Sequence, residues 1–131
     1  MLIPKDVIEV NGYHTWMGED GIARTCVKPD FDVVLSDALE NIPAVASLYL
    51  CKKFPLLLDS RQIGSMSYEA RHHFSMRNCE TKTCAFGIII NSAVSRALGN
   101  FYLGINKPSV PKKLFDNEIH AVAWLKKFVC L

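Results

Sequence analysis

The sequence predicts an α/β domain: a mixed sheet with an N-terminal antiparallel hairpin, then parallel strands joined by helices. Two observations predict it. Three apolar runs, Phe54-Pro55-Leu56-Leu57-Leu58, Ala85-Phe86-Gly87-Ile88-Ile89-Ile90 and Lys113-Leu114-Phe115, are each followed by a polar residue and a segment with helical spacing. That rhythm belongs to parallel strands linked by crossover helices. Ahead of them, residues 7–28 carry strand-like runs around Gly18-Glu19-Asp20-Gly21. Asp-Gly is a strong hairpin signal because glycine accepts the positive φ of a tight turn.

The elements follow in order. Residues 1–6 read as a lead-in. Val7–Val10, Tyr13–Met17 and Ile22–Lys28 read as strands, and Pro29-Asp30 breaks the pairing because proline lacks a donor. Leu35–Leu50 reads as a helix capped by Ser36 or Asp37, with Ala38, Ile42, Val45 and Tyr49 on one face. Pro43 inside it costs about 3 kcal/mol, which predicts a kink near Leu39–Ile42 or a start near Asn41. Phe54–Leu58 is continuously apolar, the mark of a strand covered on both faces, and Asp59 ends it.

Ser67 is placed to cap a helix over Tyr68–Met76, with Glu69 in its first turn and a weak apolar face of Ala70 and Phe74. Thr83–Ile90 is the second buried strand. After Asn91-Ser92, the residues Val94, Ala97, Leu98, Phe101 and Ile105 form a core-facing helical stripe. Gly99 within it admits a close backbone approach. Pro108 and Pro111 bound the exit. Lys112–Phe115 is the last strand, Asp116 the expected cap of the last helix, and Ala121, Trp124, Leu125 and Phe128 its stripe.

The 131 residues are expected to form one domain, residues 1–131, burying roughly two thirds of its unfolded surface. Net charge is +2, too small by itself to indicate nucleic acid. The lysine pairs at 52–53, 112–113 and 126–127 read as solvated ends of elements rather than a phosphate patch. Cys26, Cys51, Cys79, Cys84 and Cys130 are odd in number and irregular in spacing. They read as reduced thiols of a cytoplasmic protein rather than zinc ligands. The N-terminus lacks the basic and apolar regions of a signal peptide, and no run nears the roughly 20 apolar residues of a membrane span.

Chemistry is sparse. Asp59-Ser60-Arg61 stands at the carboxyl end of a parallel strand, where open α/β sheets bind ligands. Its plainer role is a turn whose aspartate takes backbone donors. Asn91-Ser92, with Ser95 and Arg96 a turn later, makes a similar place, with Ser92 as a plain N-cap the simpler role. His72 and His73 point about 100° apart on a helix, unsuited to one metal. His14 and His120 have no obvious partner in the sequence. There is no G-x-S-x-G, no G-x-G-x-x-G and no G-x-x-x-x-G-K, so neither a nucleophile turn nor a nucleotide cofactor is indicated. Tyr102 and Leu103 extend beyond the Phe101 stripe as a dimer contact, the wall of an apolar pocket, or packing under a neighbouring helix.

The order of elements resembles the STAS domain, in particular the bacterial SpoIIAA-like group of small uncharacterised proteins. The resemblance is carried by Lys113-Leu114-Phe115-Asp116-Asn117-Glu118-Ile119-His120-Ala121-Val122-Ala123-Trp124-Leu125, by Leu56-Leu57-Leu58-Asp59, and by the helix after Ile90. It covers nearly the whole chain. It implies a non-enzymatic module that binds proteins, and related folds such as the CRAL-TRIO carriers hold apolar ligands. Anti-sigma-factor antagonists carry Asp-Ser-x-Gly-Leu with a phosphorylated serine at the start of the helix after their central strand. This sequence has Ser65-Met66-Ser67-Tyr68-Glu69-Ala70, without the Asp-Ser pair or the glycine. Ser67 is the nearest hydroxyl, and Tyr68 stands close to the serine's place.

The favoured expectation is a cytoplasmic binding or regulatory module without catalysis or cofactor, engaging a protein partner, with a homodimer compatible. The expected contact residues are Asp59, Arg61, Ser65, Ser67, Tyr68, Ser92 and Arg96. A carrier of a lipid-like molecule comes second, its cavity lined by Phe101, Tyr102 and Trp124. A small hydrolase using Asp59, Ser60 or Ser92 comes third.

Overall fold

Strands β1 (Ile8–Val10), β2 (Tyr13–Met17) and β3 (Ala23–Val27) form an antiparallel meander. The computed structural model describes residues 3–4, 7–48, 53–77, 83–93, 95–97 and 111–129. Two glycines make the turns. Gly12 (φ +83°) and Gly21 (φ +82°) take left-handed backbone, and a Cβ at Gly12 would collide with the Phe31 ring. From β3 the sheet turns parallel. Strands β5 (Phe54–Asp59), β7 (Thr83–Ile89) and β8 (Lys112–Phe115) extend it in the order β1-β2-β3-β5-β7-β8. The mixed sheet is the one the apolar runs predict.

Between β3 and β5 come β4 (Asp32–Val33) and helix α1 (Leu35–Ala46). After β5 come β6 (Ser65–Met66) and helix α2 (Tyr68–Arg77). Strands β4 and β6 pair with each other in a small parallel sheet that sequence pattern does not predict. The helical residues 93 and 95–97 open α3, and α4 (Glu118–Leu125) runs into a 3-10 turn over Lys126–Phe128.

Helix α1 corrects three expectations. It begins at Leu35, so its N-cap is Val34 rather than Ser36 or Asp37. Asp37 sits at the third helical position, buried, and its carboxylate accepts the Val34 N–H at 2.8 Å and the Asn11 amide at 2.9 Å. Nor does the helix start at Asn41. It is continuous from Leu35 through Pro43 to Ala46. Proline removes the bond that would reach the Leu39 carbonyl. Leu39 and Pro43 both lie on the exposed side of the helix, which leaves that carbonyl open to solvent rather than buried. The helix also stops short of Leu50.

Helix α4 corrects another expectation. Its cap is Asn117, whose Oδ1 accepts the His120 N–H at 2.9 Å, and Asp116 lies one residue too early to reach it. Asp59, expected to end β5, is its last residue. Expectations on Tyr49, Cys51, Cys79, Leu98, Gly99, Phe101, Tyr102, Leu103, Ile105, Pro108 and Cys130 lie outside the described residues, as do the side chains of Phe74 and Val94.

Each face of the sheet has its own core. On one face Tyr13, Val27, Val33, Ala38, Ile63 and Ala70 pack between the strands and α1 and α2, with Val45, Ala23 and Leu56 beside them. A buried pair of hydroxyls, Thr15 and Thr25, shares a hydrogen bond of 2.8 Å there. On the other face Ile22, Leu57, Ala85, Ile89, Ala121 and Leu125 pack under α4. Trp124 and Phe128, expected in the buried stripe, are half-buried along its margin, with ring centres 4.9 Å apart at a tilt of 60°. Cover on both faces explains why β5 reads as an unbroken apolar run.

Candidate functional site

Helix α4 packs over β7, β5 and β8. The β1–β3 half of that same face carries ionisable side chains instead. Strand register sets them in a row: Glu9 stands opposite His14, His14 opposite Cys26, Cys26 opposite Asp59, and Asp59 opposite Ile89. Paired residues point to one face, so five strands contribute to one line, four of them with an ionisable side chain. Lys28 follows Cys26 by two residues and returns to that side.

A cleft of about 410 Å³ opens here at the carboxyl ends of β3 and β5. Its polar walls include His14, Cys26, Lys28, Asp59, Arg61 and Asn91. The charges are paired. Arg61 Nε and Nη2 donate to the two Asp59 oxygens at 3.0 and 2.8 Å, and the Arg61 N–H donates to the same carboxylate at 3.1 Å. Asp59 is buried and Arg61 half-buried. That hydrogen bond raises the Arg61 pKa. At the other end Lys28 Nζ donates to Glu9 at 2.8 Å and holds its carboxyl below the ordinary value. The second Glu9 oxygen lies 3.9 Å from His14 Nε2. Between the two ion pairs the Cys26 thiol is pushed up, first by burial and then by the Asp59 charge.

Such a cleft offers fixed donors and acceptors. A thiol with a raised pKa stays protonated at neutral pH and is a poor nucleophile. The nearby serines are committed as well. Ser60 donates to the Ile89 carbonyl at 2.9 Å. Ser92 accepts the Ser95 N–H at 3.1 Å, while Ser95 accepts the N–H groups of Asn91 and Ser92. This reciprocal pair opens α3 in the manner of a capping box.

The predicted site residues therefore divide. Asp59 and Arg61 lie together in the cleft, and Ser92 follows its wall residue Asn91. Arg96 is exposed on α3, one turn after Ser92. Ser65, Ser67 and Tyr68 travel with β6 and α2 to the opposite face of the sheet. There Ser65 donates to Asp32 at 2.7 Å and Ser67 caps α2 by accepting the Ala70 N–H at 3.1 Å. Tyr68 is 64% exposed, with its ring stacked on His72 at 6.0 Å.

A family model described as a domain of unknown function, DUF7793, matches residues 15–129, from β2 to the end of the described chain. The chain belongs to the DUF7793 family. Comparison with curated proteins gives no match. Among solved structures, this DUF7793 chain is similar to an uncharacterised protein of the DUF3478 family from Shewanella loihica PV-4, which has a SpoIIAA-like fold. The identity is 14%, the TM-score 0.62, and the likeness covers 86% of this chain and 91% of the other. The SpoIIAA-like fold expected from the sequence is the fold of this DUF7793 protein.

His14, Cys26 and Lys28 in the cleft, and Glu9 paired with Lys28 beside it, are residues that sequence reading did not gather. The available signal was alternation: each lies on the less apolar side of its strand. Register across three strands is needed to bring them beside Asp59.

Proposed function

We propose that this DUF7793 protein is a non-catalytic, cytoplasmic binding module that grips a polar group of its partner or ligand in the cleft between β3 and β5. The observation that carries this reading is the bidentate Asp59–Arg61 pair, held at the carboxyl end of a central parallel strand within a cleft of about 410 Å³. Strand ends of open α/β sheets are where ligands gather. Both ion pairs there are already satisfied, and the Cys26 thiol in the lining is held protonated. The lining thus suits recognition by hydrogen bonding rather than turnover. Its mixed polar walls also favour a polar ligand over the lipid-like cargo of the related carriers.

The test is a fragment screen by amide NMR on isotope-labelled protein. Binders should shift the amides of Cys26, Lys28, Arg61 and Asn91, and Arg61→Ala should remove those shifts while the remaining spectrum stays folded. Hits that cluster away from this cleft, or that persist in Arg61→Ala, would refute the assignment.

A further inference from the structure

Strand β8 ends the sheet, and among the described residues it has a neighbour on one side only. Its pairing with β7 uses the carbonyls of Pro111 and Phe115, which accept the N–H groups of Phe86 and Ile90 at 2.9 Å. Backbone direction alternates along a strand, so the N–H and C=O of Lys112 and Leu114 point away from β7. Beside this edge runs a groove of about 420 Å³. Lys113 and Phe115 of β8 form one wall, and His120, Ala123, Trp124 and Lys127 form the other. These last four recur along one side of α4 and its terminal turn. Trp124 fills the floor, 5.7 Å from the Phe115 ring and 4.9 Å from the Phe128 ring.

We propose that the edge of β8 and the groove against α4 receive an extended acidic segment of a partner protein as an added strand. Three features select this occupant. An edge strand next to a helix-walled groove supplies main-chain hydrogen bonds for affinity and pockets for alternate side chains for specificity. The charged lining is basic: Lys113 and Lys127 flank the aromatic floor, and Lys113 Nζ sits 5.5 Å from the Phe115 ring centre. A second copy of this chain fits poorly, because pairing β8 with β8 would gather Lys112 and Lys113 of both copies along one seam. Lysine on an edge opposes such self-pairing. The aromatic rings pack at tilts of 51° and 60° on one another. That arrangement leaves Trp124 less suited to a stacked nucleobase than to an apolar side chain. This surface lies on the opposite side of α4 from the cleft and stands on its own observations.

The experiment is selection of a random 12-residue peptide library displayed on phage against the immobilised full chain, followed by anisotropy measurements on the best synthetic peptide. Enriched sequences should alternate acidic and apolar residues, with affinity in the micromolar range that falls as salt is raised. Lys113→Glu with Lys127→Glu should weaken binding at least about tenfold, and Lys53→Glu, on an exposed residue elsewhere, should leave it unchanged. N-methylation of the peptide backbone should abolish binding on one alternate set of residues and spare it on the other. The proposal falls if no peptide is enriched, if the lysine pair has no effect, or if both methylated sets bind alike. It falls equally if a 12-nucleotide oligo-dT binds the groove in preference, or if the chain dimerises through β8 at the concentrations used.

Discussion

The Ser67 hydroxyl accepts the Ala70 N–H and its own N–H donates to the Val33 carbonyl, so one residue ties α2 to the small β4–β6 sheet. Losing the cap should cost about 0.5–2 kcal/mol in Ser67→Ala, whereas Ser67→Asp, itself a good cap beside a helix dipole, should stay near wild type. Urea unfolding of the two variants measures this; equal losses would show that the hydroxyl caps nothing in solution. A phosphate on Ser67 would stand at the same first turn of α2, so modification there changes surface charge while keeping the cap. This residue was legible in the sequence because an N-cap needs only a short side-chain oxygen before a helical run. Val34 was not legible in the same way. It caps α1 with no side-chain acceptor, and the Asp37 carboxylate instead reaches back to accept the Val34 N–H.

At the scale of elements, Gly87 decides how closely α4 approaches the sheet. A Cβ added there would sit 3.0 Å from Leu125 Cδ1, tighter than ordinary packing. Gly87→Val should therefore push α4 outward and destabilise the protein by about 1–3 kcal/mol, as overpacked cores do. Gly87→Ala, which only crowds the movable end of Leu125, should cost less. Thermal melts of both variants read the difference, and a valine variant as stable as wild type would show that α4 has room to spare. The long elements were readable because β5 and β7 are apolar throughout and α4 keeps its buried Ala121 and Leu125 one turn apart. Strands β4 and β6 were not, since two residues each are too few for any period. Their pairing is fixed by where Ile63 and Met66 find cover.

For the whole molecule, charge is arranged in local pairs rather than as a field. Arg24 holds Asp20 with two hydrogen bonds, at 2.9 and 2.8 Å, and keeps its carboxyl below the ordinary value. A carboxyl depressed in the folded state adds stability above its unfolded pKa of about 3.9, and that stability is lost as pH falls through the lower folded value. Asp20→Asn should accordingly melt below wild type near neutral pH, and the gap should close as the pH falls below the unfolded value and through the lower folded one. A gap that is constant with pH would mean that the pair contributes nothing ionic. The candidate cleft was half legible for the same reason that the fold was. Asp59 and Arg61 are two residues apart at a strand end, and one local rule finds them. Glu9, His14 and Cys26 meet that pair only after the meander has taken its register, a long-range fact that no window of sequence contains.

The junction of β3 with β5 also sets an order of events. The meander closes by turns of a few residues, whereas β5 can reach β3 only after the intervening chain through α1 has been gathered in, and closing longer loops is entropically dearer and slower. Cys26 and Asp59 face each other across that seam. The thiol is thus a natural clock for the joining of the two parts. In a refolding experiment with pulsed alkylation, backbone amides of β2 should gain protection first and Cys26 should lose reactivity later, together with β5. Simultaneous protection of both would mean that the meander has no life of its own before the parallel strands arrive.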